Sequence, residues 1–244
     1  MLLTNYPGVS GFEHFLYMII CLILMAISIV FINKIKNDDK KIKTIMRVIG
    51  FVLLIVIICN RVSVTYNNVV IEKREGVTWL SLIPNTVCGF ASFVYSFSLI
   101  FAKKDSKIFH FICYLGFLGG VLTFIYPDFL DNQTFFDPRT ITGLVHHTIM
   151  FCTTIICIIT GYLKPSFKKV NYYIIGLAFL MVFGLFEIDV LHFSKAMMIG
   201  APLVSSLPIL SSWYVIGPVS IGLLVIFTLT FEYFQKKKGS ICKH

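Results

Sequence analysis

Two histidines, His146 and His147, stand side by side in RTITGLVHHTIMFCTTIICIIT (139–160), a run otherwise almost wholly apolar or hydroxylated. A second such run, WLSLIPNTVCGFASFVYSF (79–97), carries Cys88 beside Asn85 and Thr86. A thiol attacks only as thiolate. An imidazole within hydrogen-bond reach can remove its proton and later return it to a leaving group. Cys88 with His147 or His146 therefore supplies the parts of covalent acyl chemistry. A third polar group should orient the base, and Asn60, Asn85 or Glu187 suits that role. An amide or a guanidinium would stabilise an acyl oxyanion. The plainer alternative is that both imidazoles only hydrogen-bond to neighbouring helices while Cys88 packs. Consecutive helical residues point about 100° apart. The two rings are therefore expected on different faces, one in a pocket and one in a structural hydrogen bond.

The elements that must position these groups are set by composition. Of 244 residues, 57% are hydrophobic and 14% charged, more apolar surface than a water-soluble domain of this length can hide. Apolar runs long enough to cross a bilayer recur along the chain. The expected fold is all-α, a single transmembrane domain (1–244) of seven helices spanning about 13–33, 44–62, 79–102, 108–126, 140–163, 171–190 and 212–232. The N-terminal stretch has no basic leading region and a long apolar run, and is expected to be a retained first span.

The net charge of +9 is a topology signal rather than a nucleic-acid patch. Lys34, Lys36, Lys40, Lys41, Lys43 and Arg47 follow span one. Lys103, Lys104 and Lys107 follow span three, Lys164, Lys168 and Lys169 follow span five, and Lys236, Lys237, Lys238 and Lys243 end the chain. With alternating spans all of these share one side, leaving Arg61, Lys73, Arg74, Arg139 and Lys195 on the other. The positive-inside rule then puts the N-terminus outside and the C-terminus in the cytoplasm. The lysine-, isoleucine- and asparagine-rich usage is that of an AT-rich bacterial genome, so a bacterial plasma membrane is the expected location.

That topology assigns depths. Arg139 sits at the headgroup level, and His146 and His147 lie about 10–12 Å further in at roughly 1.5 Å per residue. Span three starts at the interfacial anchor Trp79 and brings Cys88 to nearly the same depth. Asn60 and Arg61 close span two at that side, Glu187 and Asp189 close span six, and Asp128, Asp131 and Asp137 lie in the loop before span five. Ionisable groups within a membrane face the bundle interior or a wet cavity, so a polar pocket in the outer half of the bundle is expected. The segment HFSKAMMIGAPLVSSLPILSSW (192–213), broken by Gly200, Pro202 and Pro208, is expected to cover it. No metal or diffusible cofactor is implied. His110 belongs to the opposite leaflet, His14 and His192 lie near the outer surface, and the cysteines show no paired CxxC spacing. A Cys59–Cys88 bridge could form near the outer face, but nothing in the spacing specifies it and no disulfide framework is indicated.

Three motifs in order carry a family resemblance: IPNTVC ending at Cys88, DPRTITGLVHH ending at His147, and AMMIGAPLVSSLPILSSWYVIGP before the last span. From span two to span seven the chain resembles the bacterial YwaF-like integral membrane proteins, relatives of vertebrate transmembrane protein 164. The resemblance implies a lipid acyltransferase or acyl hydrolase with Cys88 as nucleophile and His146 or His147 as base. A membrane phospholipid would be substrate, with its phosphate held by Arg61 and Arg139. Asn60, Asn85 and Glu187 complete the expected binding residues. Two other classes fit the same polar residues. One is a small-solute binding or transport protein with Asn60, Arg61, His147, Glu187 and Asp189 as ligands. The other is a structural membrane subunit.

Overall fold

The computed structural model describes residues 11–125, 134–193, 196–199, 209 and 212–241. Asp128, Asp131, Lys195, Gly200, Pro202, Pro208 and Lys243 lie outside the described residues. Those residues form helices and connecting turns with no strand among them. The seven main helices are α1 (Phe12–Ile35), α2 (Asp39–Tyr66), α3 (Val87–Phe101), α4 (Lys107–Ile125), α5 (Pro138–Thr160), α6 (Val170–Asp189) and α7 (Trp213–Ile241). All but α3 are long and apolar enough to cross a membrane. Large apolar side chains such as Phe31, Ile55, Val182 and Ile226 point outward, where only lipid can satisfy them at this density. The protein is a multi-pass membrane protein.

Local chemistry sets the helix ends. Asp38 caps α2 by accepting from the Lys41 amide at 3.1 Å. Asp137 caps α5 by accepting from the Arg139 amide at 2.8 Å, with Pro138 in the first turn, where its missing N–H costs nothing. Gly161, at φ 73°, closes α5 in the left-handed conformation, which glycine adopts without a Cβ penalty.

Three helices differ from their expected spans, α7 running on to Ile241 rather than ending near 232. Helix α2 runs on through a π-helical turn (Asn67–Ile71), so Arg61 does not close a span. It lies ten residues inside a longer helix and is buried. Helix α3 begins at Val87, not Trp79. Trp79–Leu82 form a separate 3-10 turn, and the chain is extended at Ile83 and again at Thr86. Pro84 is the reason, because it disfavours helix in the residue before it and cannot donate a backbone bond.

Helix α5 lies at the centre, packed against α2, α3, α4 and α1. It runs parallel to α3 and antiparallel to α4. Thus Tyr95 Oη meets Thr154 Oγ1 at 3.1 Å, and Thr154 donates to the Cys113 carbonyl at 3.1 Å. Small residues let α4 approach. A Cβ on Gly120 would stand 2.8 Å from the His147 carbonyl and 2.9 Å from Phe151 Cβ.

At the opposite end of the bundle, Asp105 fastens the α3–α4 and α5–α6 connections. Its carboxylate accepts from His110 Nε2 at 2.7 Å, from the Lys164 amide at 3.1 Å and from Lys169. Partial burial acts against the ionised form, but the bonds from Lys169, His110 and Lys164 prevail and hold this carboxyl below its ordinary range.

Candidate functional site

The late start of α3 changes what Cys88 is. Thr86 is the N-cap, with its Oγ1 accepting from the Gly89 amide at 3.1 Å. Cys88 is therefore the second residue of a helix rather than a mid-span residue, and the dipole of α3 favours negative charge there. Gly89 is required by the cap, since a Cβ would come within 2.9 Å of Thr86 Oγ1. The Cys88 sulfur faces α4, lying 3.4 Å from where a Cβ of Gly119 would be. Gly120, the next residue, receives the backbone of His147. Cys88 and His147 thus flank one Gly–Gly step of α4. Cys59 is exposed, and no disulfide joins it to Cys88.

The histidine rings do not diverge as expected. Their centroids lie 4.2 Å apart with planes tilted by 32°. The Cβ directions separate by a helical step, but the side-chain torsions fold the two rings back against each other. Both residues are buried. His146 Nδ1 lies 2.9 Å from Ser92 Oγ, and Ser92 donates to the Cys88 carbonyl at 2.8 Å. Ser92 Oγ also lies 3.3 Å from Met150 Sδ. In the arrangement where its one proton goes to the Cys88 carbonyl, His146 Nδ1–H donates to the hydroxyl oxygen. That tautomer leaves a lone pair on His146 Nε2. His147 Nδ1 has no hydrogen-bond partner.

Ser92 was missed by sequence reasoning, although its position one turn after Cys88 puts both on one helix face. Two of the three groups expected to orient an imidazole have other partners. Asn60 Nδ2 donates to the Arg139 carbonyl at 3.2 Å and to Thr142 Oγ1 at 2.9 Å. Asn85 Oδ1 accepts from Arg61 at 3.0 Å, and its carbonyl accepts from the Met197 amide at 2.9 Å. Glu187 is 0% exposed, and both of its oxygens lack a hydrogen-bond partner. Asp189, two residues on, is exposed.

The two arginines are also engaged. Arg61 Nη2 donates to the carbonyls of Ser81 and Ile83 as well as to Asn85, so it holds the bend that precedes α3. Arg139 forks onto Asp137, Nε to Oδ1 at 2.9 Å and Nη2 to Oδ2 at 2.8 Å, and reaches Glu72 at 3.4 Å. The Arg139 hydrogen bonds hold the Asp137 carboxyl below its ordinary range. A phosphate at Arg139 would have to displace Asp137, whereas at Arg61 only Nη2 is committed and Nε has no hydrogen-bond partner. Of the segment expected to cover the site, the described part packs on α6 and is pinned at both sides. The Met197 amide bonds to Asn85, and the Met197 carbonyl accepts from Trp213 Nε1 at 2.7 Å.

Three features therefore meet at one end of the bundle: a capped PNTVC turn, a DPRT helix start and a buried histidine pair. The sequence matches the TMEM164 family over residues 9–231. The chain belongs to the TMEM164 family. No curated protein and no solved structure matches it. In this family member the two matched motifs have a structural basis besides any chemistry, because each is a helix N-terminus whose cap the sequence specifies. Among the described residues no group of three or more His, Cys, Asp or Glu could hold a metal ion. A surface depression lined by Lys34, Ile35, Asn37, Asp38, Asp39 and Lys41 belongs to the α1–α2 turn, far from these groups in the fold.

Proposed function

We propose that this TMEM164-family protein is a membrane-embedded lipid acyltransferase or acyl hydrolase, of the YwaF-like bacterial type, working in the plasma membrane. In this reading the N-terminus is outside, the C-terminus is cytoplasmic, and the site lies in the outer half of the bundle. The observation that carries it is that Ser92 Oγ lies within hydrogen-bond distance of both the Cys88 main-chain carbonyl and His146 Nδ1, with the Cys88 sulfur and His147 flanking Gly119 and Gly120 of α4. The imidazole pair takes the Cys88 thiol proton as the sulfur attacks the acyl carbonyl of a phospholipid ester. The main-chain N–H groups opening α3 suit the oxyanion that forms. Collapse breaks the ester C–O bond, the leaving alcohol takes the proton back, and a thioester remains. A hydroxyl acceptor or water then gives its proton to the imidazole, attacks the thioester and releases the thiol. Ser92 acts as a positioning residue for His146.

The test is labelling of the full chain in native membranes with a lipid-like acyl probe that leaves a thioester. Labelling is expected at Cys88 and lost in Cys88→Ala. At least one of His146→Ala and His147→Ala should lower its rate by about 10²-fold or more, the usual worth of a general base. Equal labelling rates in both histidine variants would overturn the proposal.

A further inference from the structure

Buried polar atoms in native proteins are almost always hydrogen-bonded, because leaving one unpaired forfeits its hydration. Helices α2 and α6 break this rule together. Glu187 has two unpartnered oxygens, Thr65 is 0% exposed with Oγ1 unpartnered, and the buried Arg61 has Nε unpartnered. Arg61 and Thr65 are one turn apart on the same face of α2. Arg61 reaches Asn85, and the Asn85 main-chain carbonyl takes the Met197 amide. Met197 packs on Gly184, one turn before Glu187, so one segment bridges Arg61 to this stretch of α6. Yet no hydrogen bond joins Arg61 to Glu187. Arg61 Nη2 is committed to Ser81, Ile83 and Asn85, which holds the guanidinium in place while Nε stays without a hydrogen-bond partner. Closing onto Glu187 would release the bend that starts α3.

We infer that Arg61, Thr65 and Glu187 form a buried binding site between α2 and α6 for a neutral, hydroxyl-bearing ligand. The charge balance selects neutrality: a cation would leave Arg61 uncompensated, and an anion would be set against Glu187. The atom types select a hydroxyl, whose oxygen accepts from Arg61 Nε–H while its proton goes to a Glu187 oxygen. Thr65 Oγ1 completes the shell as donor or acceptor. The site does not use Cys88 or either histidine, so it stands or falls apart from the acyl chemistry.

The experiment measures thermal unfolding of the full chain reconstituted in phosphatidylcholine vesicles, with and without added monoacylglycerol, glycerol, a long-chain fatty acid or a long-chain amine. A ligand that binds only the folded state raises the midpoint in proportion to its occupancy. Monoacylglycerol or glycerol is expected to raise it by roughly 2–4 °C and saturably. A shift with the lipid alone assigns a membrane source, and a shift with glycerol alone a soluble one. Glu187→Gln and Thr65→Val lose no internal hydrogen bond, so they should fold like the parent and keep less than about a third of the shift. A shift as large in both variants as in the parent would overturn the inference by marking a general solvent effect. So would a larger response to the fatty acid or the amine, or no response to either hydroxyl compound. Labelling of Cys88 is read on the same samples, and its loss bears only on the acyl proposal.

Discussion

Two buried or half-buried carboxylates at opposite ends of the bundle receive opposite treatment. Asp105 accepts from a histidine, a lysine and a main-chain amide and ties two connections together. Glu187 is more deeply buried and accepts from nothing. A carboxylate with its donors supplied is part of the scaffold, whereas one without them keeps its bonding capacity for something else. The contrast separates the end of the molecule that holds shape from the end that is available for chemistry.

Substitution of the two acids should break the comparison most sharply. Asp105→Ala strands three donors and replaces, at φ 54°, a short polar residue that tolerates the left-handed region by one that does not, so a loss of about 2–3 kcal/mol is expected from unfolding in detergent. Glu187→Gln should stay within about 0.5 kcal/mol, since no partner is lost. If Glu187→Gln proves as costly as Asp105→Ala, Glu187 has an internal partner and the contrast fails.

Acid gives an intermediate effect. The Asp105 and Asp137 carboxyls are both held below their ordinary range in the folded protein. Their stabilisation is therefore complete above the ordinary value of about 4 and is lost as pH falls through the lowered one. The unfolding midpoint should drop between pH 5 and pH 2, and Asp105→Asn should flatten part of that drop. A midpoint with the same acid slope in parent and variant would remove Asp105 from the account.

The glycines divide along the same line, one substitution costly and the other nearly neutral. Gly120→Ala crowds the His147 carbonyl and should cost about 1–3 kcal/mol. Gly222 of α7 has nothing within 4 Å of an added Cβ, so Gly222→Ala should gain about 0.5 kcal/mol from helix propensity. Thermal midpoints of the two variants test whether tight packing is confined to the interior near the histidines.

Most of the bundle was legible because hydropathy is a local property, and α1, α4, α5 and α6 lie close to where their apolar runs predict. Helix α3 was misplaced although its signals were in the sequence. Pro84 and the N-cap pattern Thr86–Gly89 mark a helix start, but the apolar residues on both sides read as one continuous span. The end of α2 was misjudged for the converse reason, since polar residues from Asn60 onward suggested an exit that tertiary contacts override. The candidate site was legible only as a list of residue types. That the imidazoles lie against each other, that Ser92 joins α3 to α5, and that Arg61 Nη2 binds backbone carbonyls depend on side-chain torsions and on neighbours distant in sequence.

The shortness of α3 reaches beyond the protein to its host bilayer. Fifteen residues make a rod about 22 Å long, against a hydrocarbon layer of about 30 Å. The polar peptide groups between Ile83 and Thr86 must then sit below the level of the surrounding headgroups, drawing water and lipid glycerol inward or thinning the adjacent leaflet. A membrane of shorter acyl chains brings its ester groups nearer to the start of this rod, and a thicker one holds them away. In the acyl-transfer proposal, chain length in the surrounding lipid would then set how often an ester and the sulfur meet.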